Sequence, residues 1–368
     1  MNAVLENLTR AGVSIWLDDL TRTRITSGNL KDLIDTMSVR GVTTNPSIFE
    51  GAISGSVDAY ATQIASLAHD GVNAEQAVRL MTSDDVRSAC DVFSEVFKDS
   101  GGIDGRVSIE VDPRLARNTQ ATINEAQDLW NLVDRENLLI KIPATIEGLP
   151  AITEVIGRGI SVNVTLIFSV ERYVQVMDAY LSGLELAIER GHMISNIESV
   201  ASFFVSRVDS LVDSLLTANA SDRAIALLGK TAISNARLAW QSYTEVLASD
   251  RWKALNGANP QRPLWASTGV KNPAYSDTRY VIDLVAPGCV NTMPEKTLFT
   301  VADHGVFIGD TVSGTANTSA VIWRELSDVG IDLTAVCNDL EADGVAKFEQ
   351  AWISLLNTVE EALKLARQ

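Results

Sequence analysis

Eight short apolar, β-branched runs alternate along this chain with longer amphipathic segments, and that alternation predicts an α/β fold with a parallel sheet. Eight such units in a chain of 368 residues point to a (β/α)8 TIM barrel, with additional helices and a long C-terminal helix. With 46% hydrophobic residues the chain can bury a large core, and a single barrel domain over residues 1–368 is expected. No G-x-G-x-x-G follows the first run, which weighs against a doubly wound, dinucleotide-binding sheet and hence against a dehydrogenase.

The expected strands, in order, are Val13–Leu17, Gly41–Thr44, Val107–Val111, Leu138–Ile142, Ile160–Ile167, Val200–Val205, Leu264–Ser267 and Gly288–Thr292. Each reads as a nearly continuous apolar run, as parallel strands covered on both faces do. Between them lie helical patterns such as Asn29 to Ser38, Ser83 to Phe97 and Ser169 to Arg190. In the second, Val86, Cys90, Phe93 and Phe97 recur at helical spacing, with Ser83-Asp84-Asp85 expected to cap its start. Asp250 to Pro263, which holds Gly257, Pro260 and Pro263, reads as a loop. The C-terminal helical stretch carries an apolar stripe of Val345, Phe348, Trp352, Leu355, Leu356, Val359 and Leu363. That stripe is expected to pack on the barrel or on a partner chain.

Composition narrows the function. A net charge of −17 argues against a nucleic-acid binder, though not against a local basic pocket for an anionic metabolite. The three cysteines, Cys90, Cys289 and Cys337, are widely spaced and suggest neither a disulfide framework nor a metal knuckle. The three histidines are scattered, with no H-x-x-H, so no metal is expected. The N-terminal residues lack the pattern of a signal peptide and no apolar stretch suits a bilayer span; a cytoplasmic location without membrane attachment is expected.

Chemistry is expected where polar residues interrupt the strands at their C-terminal ends. Lys141 lies inside Leu138-Leu139-Ile140-Lys141-Ile142-Pro143. Lysine is seldom fully buried unless paired or used, and burial disfavours an ammonium ion, which favours a nucleophilic amine able to form a Schiff base with a ketone. The alternative is a strand-end lysine that snorkels to water. Neighbouring strand ends supply Asp18, Asn45, Glu110, Asn163 and Thr165, with Asn163 and Thr165 two apart and so on one face. Any one of these could serve only a structural hydrogen bond. Together they suit imine chemistry. Lys141 would attack the carbonyl, and Glu110 would shuttle protons through a water held by Thr165. Asp18 would take the proton of a hydroxyl β to the imine carbon. Asn45 and Asn163 could fix the hydroxyls of the retained fragment. Arg207, just past the sixth strand, could bind phosphate, or instead pair with Asp209.

The segments Trp16-Leu17-Asp18, Gly41-Val42-Thr43-Thr44-Asn45-Pro46-Ser47, Ser108-Ile109-Glu110-Val111-Asp112, Leu139-Ile140-Lys141-Ile142-Pro143, Asn163 to Ser169 and Ser202 to Arg207 resemble, in order and spacing, the transaldolase family. The resemblance runs from about residue 13 to 300 and implies a class I aldolase-type barrel of the pentose phosphate pathway. Such an enzyme moves a dihydroxyacetone unit from sedoheptulose 7-phosphate to glyceraldehyde 3-phosphate, giving erythrose 4-phosphate and fructose 6-phosphate, with no metal or organic cofactor. It implies that Lys141 is the Schiff-base lysine, Asp18 the acid/base for cleavage and Glu110 the proton shuttle with Thr165. It further implies that Asn45, Asn163 and Ser202 contact the substrate and that Arg207 holds its phosphate. Phe204 stands where the related fructose 6-phosphate aldolases are expected to carry a tyrosine. Lys271 stands roughly where the enterobacterial pattern has a second phosphate-binding arginine. Pro143-Ala144 and Phe203 also depart from that pattern, and the segment around Gly257 to Pro263 and the extended C-terminus suggest a longer subfamily, monomeric or homodimeric. The competing expectations are a fructose 6-phosphate aldolase releasing free dihydroxyacetone, and a sugar-phosphate-binding barrel without turnover.

Overall fold

A computed structural model describes residues 2–368, apart from the side chain of Val57. Eight parallel strands close into a barrel: β1 (Ser14–Leu17), β2 (Val39–Val42), β3 (Arg106–Glu110), β4 (Leu138–Pro143), β5 (Val162–Ile167), β6 (Ser199–Phe204), β7 (Arg262–Ala266) and β8 (Val290–Met293). Each pairs with the next, and β8 pairs with β1 from Ser14↔Val290 to Leu17↔Met293. Helices separate the strands and wrap the barrel, and almost every strand residue is buried. All eight expected strands exist, with ends displaced by at most two residues.

Residues two apart on β1 mark levels inside the barrel. At the floor, the Ser14 hydroxyl donates to Asp104 (2.9 Å) and accepts from Arg262 (2.8 Å), and Arg262 pairs with Asp104 at 3.2 Å. Above it the Trp16 indole lies over Gly41, where a Cβ would stand 2.6 Å from the ring. Only glycine leaves room for that indole. Asp18 follows at the mouth.

Three expectations need correction. The helix expected from Ser83 begins earlier: it spans Ala74–Val92, capped by Asn73, whose side chain accepts from the Gln76 amide. Ser83 and Asp85 are buried within it, and Asp85 is held by Arg22 (2.6 Å) and the Tyr60 hydroxyl (2.7 Å). A buried acidic residue paired by tertiary contacts had mimicked a cap. Phe97 belongs to a separate short helix, Ser94–Asp99. The expected loop Asp250 to Pro263 is only partly loop. Ser249 caps a helical turn, Asp250–Ala254, and Arg262 and Pro263 already belong to β7. Finally, Thr43 and Thr44 lie beyond β2, in the connection to the helix Pro46–Gly55.

The helix Leu333–Ala366 carries the expected apolar stripe, with Val345, Phe348, Leu355, Val359 and Leu363 buried. It packs on the helices Pro46–Gly55, Val57–His69 and Ala74–Val92 and reaches the end of β5. Near its start it is fastened by the Cys337 thiol on the Phe168 carbonyl (3.3 Å) and by Glu341 on Arg172 (3.4 Å).

Candidate active site

The C-terminal ends of the strands enclose a cavity of about 260 Å³. Asp18, Asn45, Lys141, Ser202, Phe204, Arg207 and Lys271 all line it, so the structure gathers seven of the sequence-predicted residues in one place. Glu110, Asn163 and Thr165 form its buried backing rather than its lining.

Lys141 and Glu110 are register partners on β4 and β3, which sets their side chains side by side on the inner face. Lys141 Nζ lies 3.3 Å from Glu110 Oε2 and donates to the Thr44 carbonyl at 3.0 Å. Lys141 is 4% exposed and Glu110 7% exposed, so the alternative of a snorkelling lysine is excluded. Burial pushes the Glu110 carboxyl up to about 7, with Lys141 acting against the rise. Glu110 Oε1 has no protein partner, and neither does the buried Thr165 hydroxyl on β5. Glu110 also borders a second cavity of about 310 Å³, which Trp352 of the C-terminal helix helps to line.

Asp18 stands across the cup. Burial raises its carboxyl above the usual range, while the nearby Lys141 charge and a hydrogen bond from Thr43 pull it back. Thr43 donates to Asp18 at 2.7 Å, and Thr43 and Thr292 share a second 2.7 Å hydrogen bond. A hydroxyl has one hydrogen. If Thr43 gives its own to Asp18, Thr292 must donate to Thr43, and the chain Thr292–Thr43–Asp18 is ordered.

On the other side, Asn163 donates to the Ser108 hydroxyl (3.0 Å) and accepts from Ser202 (2.7 Å). The amide is thereby oriented, and Ser202, its hydrogen used, can only accept from a ligand. Asn45 caps the helix Pro46–Gly55 through its side-chain oxygen, which accepts from the Ile48 amide at 3.0 Å, and it lines both this cavity and the second one. Two strand ends carry left-handed non-glycine residues, Leu166 after Thr165 and Ser267 after β7. Such residues cost roughly 1–2 kcal/mol each, and they gather where a site needs an irregular backbone.

Arg207 lies in the first turn of the helix Ser206–Asn219 after β6, with its guanidinium 5.3 Å from the Phe204 ring. The expected alternative partner, Asp209, is engaged elsewhere, by the Ala232 amide and the Tyr280 hydroxyl at 2.7 Å each. Burial holds the Arg207 guanidinium below its ordinary value, and its Nη1 has no partner. Exposed Lys271 lies on the same rim. The cup therefore has a carboxylate–amine floor and a cationic rim, which suits a polyhydroxylated ligand with a terminal phosphate.

Sequence reasoning missed Thr43, Thr292, Ser108 and Ser267 at the site, and also Phe348, which reaches it from the C-terminal helix. The threonines and serines read as ordinary residues of strands or of the turns that follow them until the barrel closes. Among the described residues no group of three or more His, Cys, Asp or Glu is placed to hold a metal, and no helix is long and apolar enough to cross a membrane.

The family model described as Transaldolase/Fructose-6-phosphate aldolase matches residues 15–359. A transaldolase of Mycolicibacterium smegmatis is 58% identical over 369 residues, covering 100% of this chain and 99% of the relative. Transaldolases of Mycobacterium tuberculosis and Saccharopolyspora erythraea are each 58% identical, again over 100% of this chain and 99% of their own length. With the barrel, the buried lysine–carboxylate pair and these relatives in agreement, the chain belongs to the transaldolase family.

Proposed function

We propose that the chain performs the transaldolase reaction through a Schiff base on Lys141, moving a dihydroxyacetone unit from sedoheptulose 7-phosphate to glyceraldehyde 3-phosphate. The observation that carries this assignment is the buried Lys141–Glu110 pair, 3.3 Å apart, beside the cavity that Asp18 lines. To attack, Lys141 presents its nitrogen lone pair to the ketose carbonyl, with its remaining hydrogens toward Thr44 and Glu110. Attack gives a carbinolamine. Glu110, through a water near Thr165, delivers the proton with which the hydroxyl leaves as water. Asp18 then takes the proton of the hydroxyl β to the imine carbon. The carbon–carbon bond breaks, its electron pair passes to the protonated imine as an enamine, and the aldehyde fragment departs. The enamine attacks the acceptor aldehyde, Asp18 returns its proton, and hydrolysis frees fructose 6-phosphate and Lys141.

Asn45, Asn163 and Ser202 hold the hydroxyls of the three-carbon unit, Phe204 forms a wall, and Arg207 with Lys271 takes the phosphate. These steps call on no metal or organic cofactor. A cytoplasmic location fits three unpaired, buried cysteines.

The test is borohydride reduction with fructose 6-phosphate, followed by peptide mass spectrometry. A stable three-carbon adduct on Lys141 is expected, and Lys141→Ala should lose it while remaining folded. An adduct on another lysine, or none on folded protein, overturns the assignment.

A further inference from the structure

A ring from the C-terminal helix stands over the nucleophile. The Phe348 centroid lies 5.6 Å from Lys141 Nζ, and Phe348 is 4% exposed and lines the same cavity as Asp18 and Arg207. The strands bring polar groups to the cup. Phe348 comes from outside the barrel and adds an apolar surface directly above the amine.

The helix is built to place it there. Residues three and four apart share a helix face. Cys337, Glu341, Gly344 and Phe348 follow that spacing, and the first two fasten the helix to Phe168 and Arg172. Gly344, inside the helix, costs roughly 1 kcal/mol relative to alanine in propensity. The backbone of the helix comes so close to β5 there that a Cβ would meet Leu166 Cδ2 at 3.0 Å and Phe168 Cε2 at 3.6 Å. Leu166 is also one of the left-handed residues. One turn on from this close approach, Phe348 is delivered over Lys141.

We infer that Phe348 is a specificity-determining residue: it keeps water off the lysine-bound three-carbon enamine, so that the unit passes to an aldehyde acceptor instead of being released. This rests on the Schiff-base assignment to Lys141. The side reaction it suppresses balances simply. The nucleophilic enamine carbon takes a proton from water, the hydroxide left attacks the resulting imine carbon, and breakage of the carbon–nitrogen bond releases dihydroxyacetone and the free amine. An apolar ring on the cavity side of the enamine denies water the approach that protonates its carbon, the water beside Glu110 and Thr165 remains for imine formation and hydrolysis, and an aldehyde bound by Arg207 enters from the phosphate rim.

The experiment compares full-length wild type, Phe348→Ala and Phe348→Leu with fructose 6-phosphate. Free dihydroxyacetone is measured without acceptor, and transfer is measured with erythrose 4-phosphate. Phe348→Ala should raise the ratio of release to transfer by about tenfold or more, a factor equivalent to some 1.4 kcal/mol of relative barrier. Phe348→Leu, which keeps an apolar cover, should stay within about threefold of wild type. Borohydride should still trap Lys141 in both variants. If Phe348→Ala lowers release and transfer together with the ratio unchanged, the inference is wrong and the ring is only packing. Should the alanine variant fail to fold, Phe348→Leu and Phe348→Ser decide the question, and a ratio indifferent to polarity at this position refutes it. Absence of any Lys141 adduct in wild type would instead refute the Schiff-base assignment.

Discussion

Glu110→Gln keeps the shape of the side chain and takes away its titratable proton. In the wild type, burial lifts the carboxyl from 4.5 to about 7 against the opposing pull of Lys141. Below about 7 the acid form predominates and can protonate the carbinolamine hydroxyl; above it that proton is gone. The limb of imine formation that belongs to Glu110 should therefore fall as pH rises through about 7. Positioned acid–base groups contribute roughly 10²–10⁴-fold. Since Lys141, its Thr44 contact and the phosphate rim stay in place, a loss of about 10²-fold below pH 7 is expected for the glutamine variant. Rapid mixing with fructose 6-phosphate, quenched by borohydride at a series of pH values on both sides of 7, measures adduct formation directly. The variant should be slow and should lack the limb near 7. Imine formation within about threefold of wild type, or an unchanged inflection, would show that another group moves this proton.

Further substitutions separate the remaining roles. Asp18→Asn should slow carbon–carbon cleavage by roughly 10²-fold or more while adduct formation with dihydroxyacetone itself stays near wild type, and equal loss in both assays would remove Asp18 from the cleavage step. Arg207→Ala should raise KM for phosphorylated donors by about 10- to 100-fold, the worth of a charge-assisted hydrogen bond, and leave dihydroxyacetone adduct formation unchanged. Gly41→Ala would put a Cβ 2.6 Å from the Trp16 ring and should cost about 1–3 kcal/mol in denaturant unfolding. Stability equal to wild type would mean that β1 and β2 can spread at that level.

The fold was legible because each strand is buried on both faces and therefore writes itself as a short apolar run, whatever its neighbours. The polar breaks in those runs, at Asp18, Glu110, Lys141 and Asn163, were legible for the same reason: nothing but a function or a paired partner explains a charge or an amide there. Other features depend on contacts that no local pattern encodes. Asn73 caps a helix whose start resembles a loop, and Asp85 sits mid-helix because Arg22 and Tyr60 meet it there. Phe348 belongs to a stripe that is apolar throughout, and an apolar residue looks the same whether it covers a helix or a reacting amine. The hydroxyls of Thr43 and Thr292 become neighbours only when the ends of β2 and β8 converge on β1.

The pairing of β1 with β8 has a consequence for how the molecule is made. Seven paired strands still present two open edges, and each edge is a template for another chain. Synthesis runs from β1 toward β8, so β1 waits with one side unsatisfied until Val290–Met293 has been made. Such long-range closure is slow compared with local helix formation. The part of the chain made before β8 is itself acidic, and like charge disfavours edge-to-edge pairing between unfinished barrels during that interval.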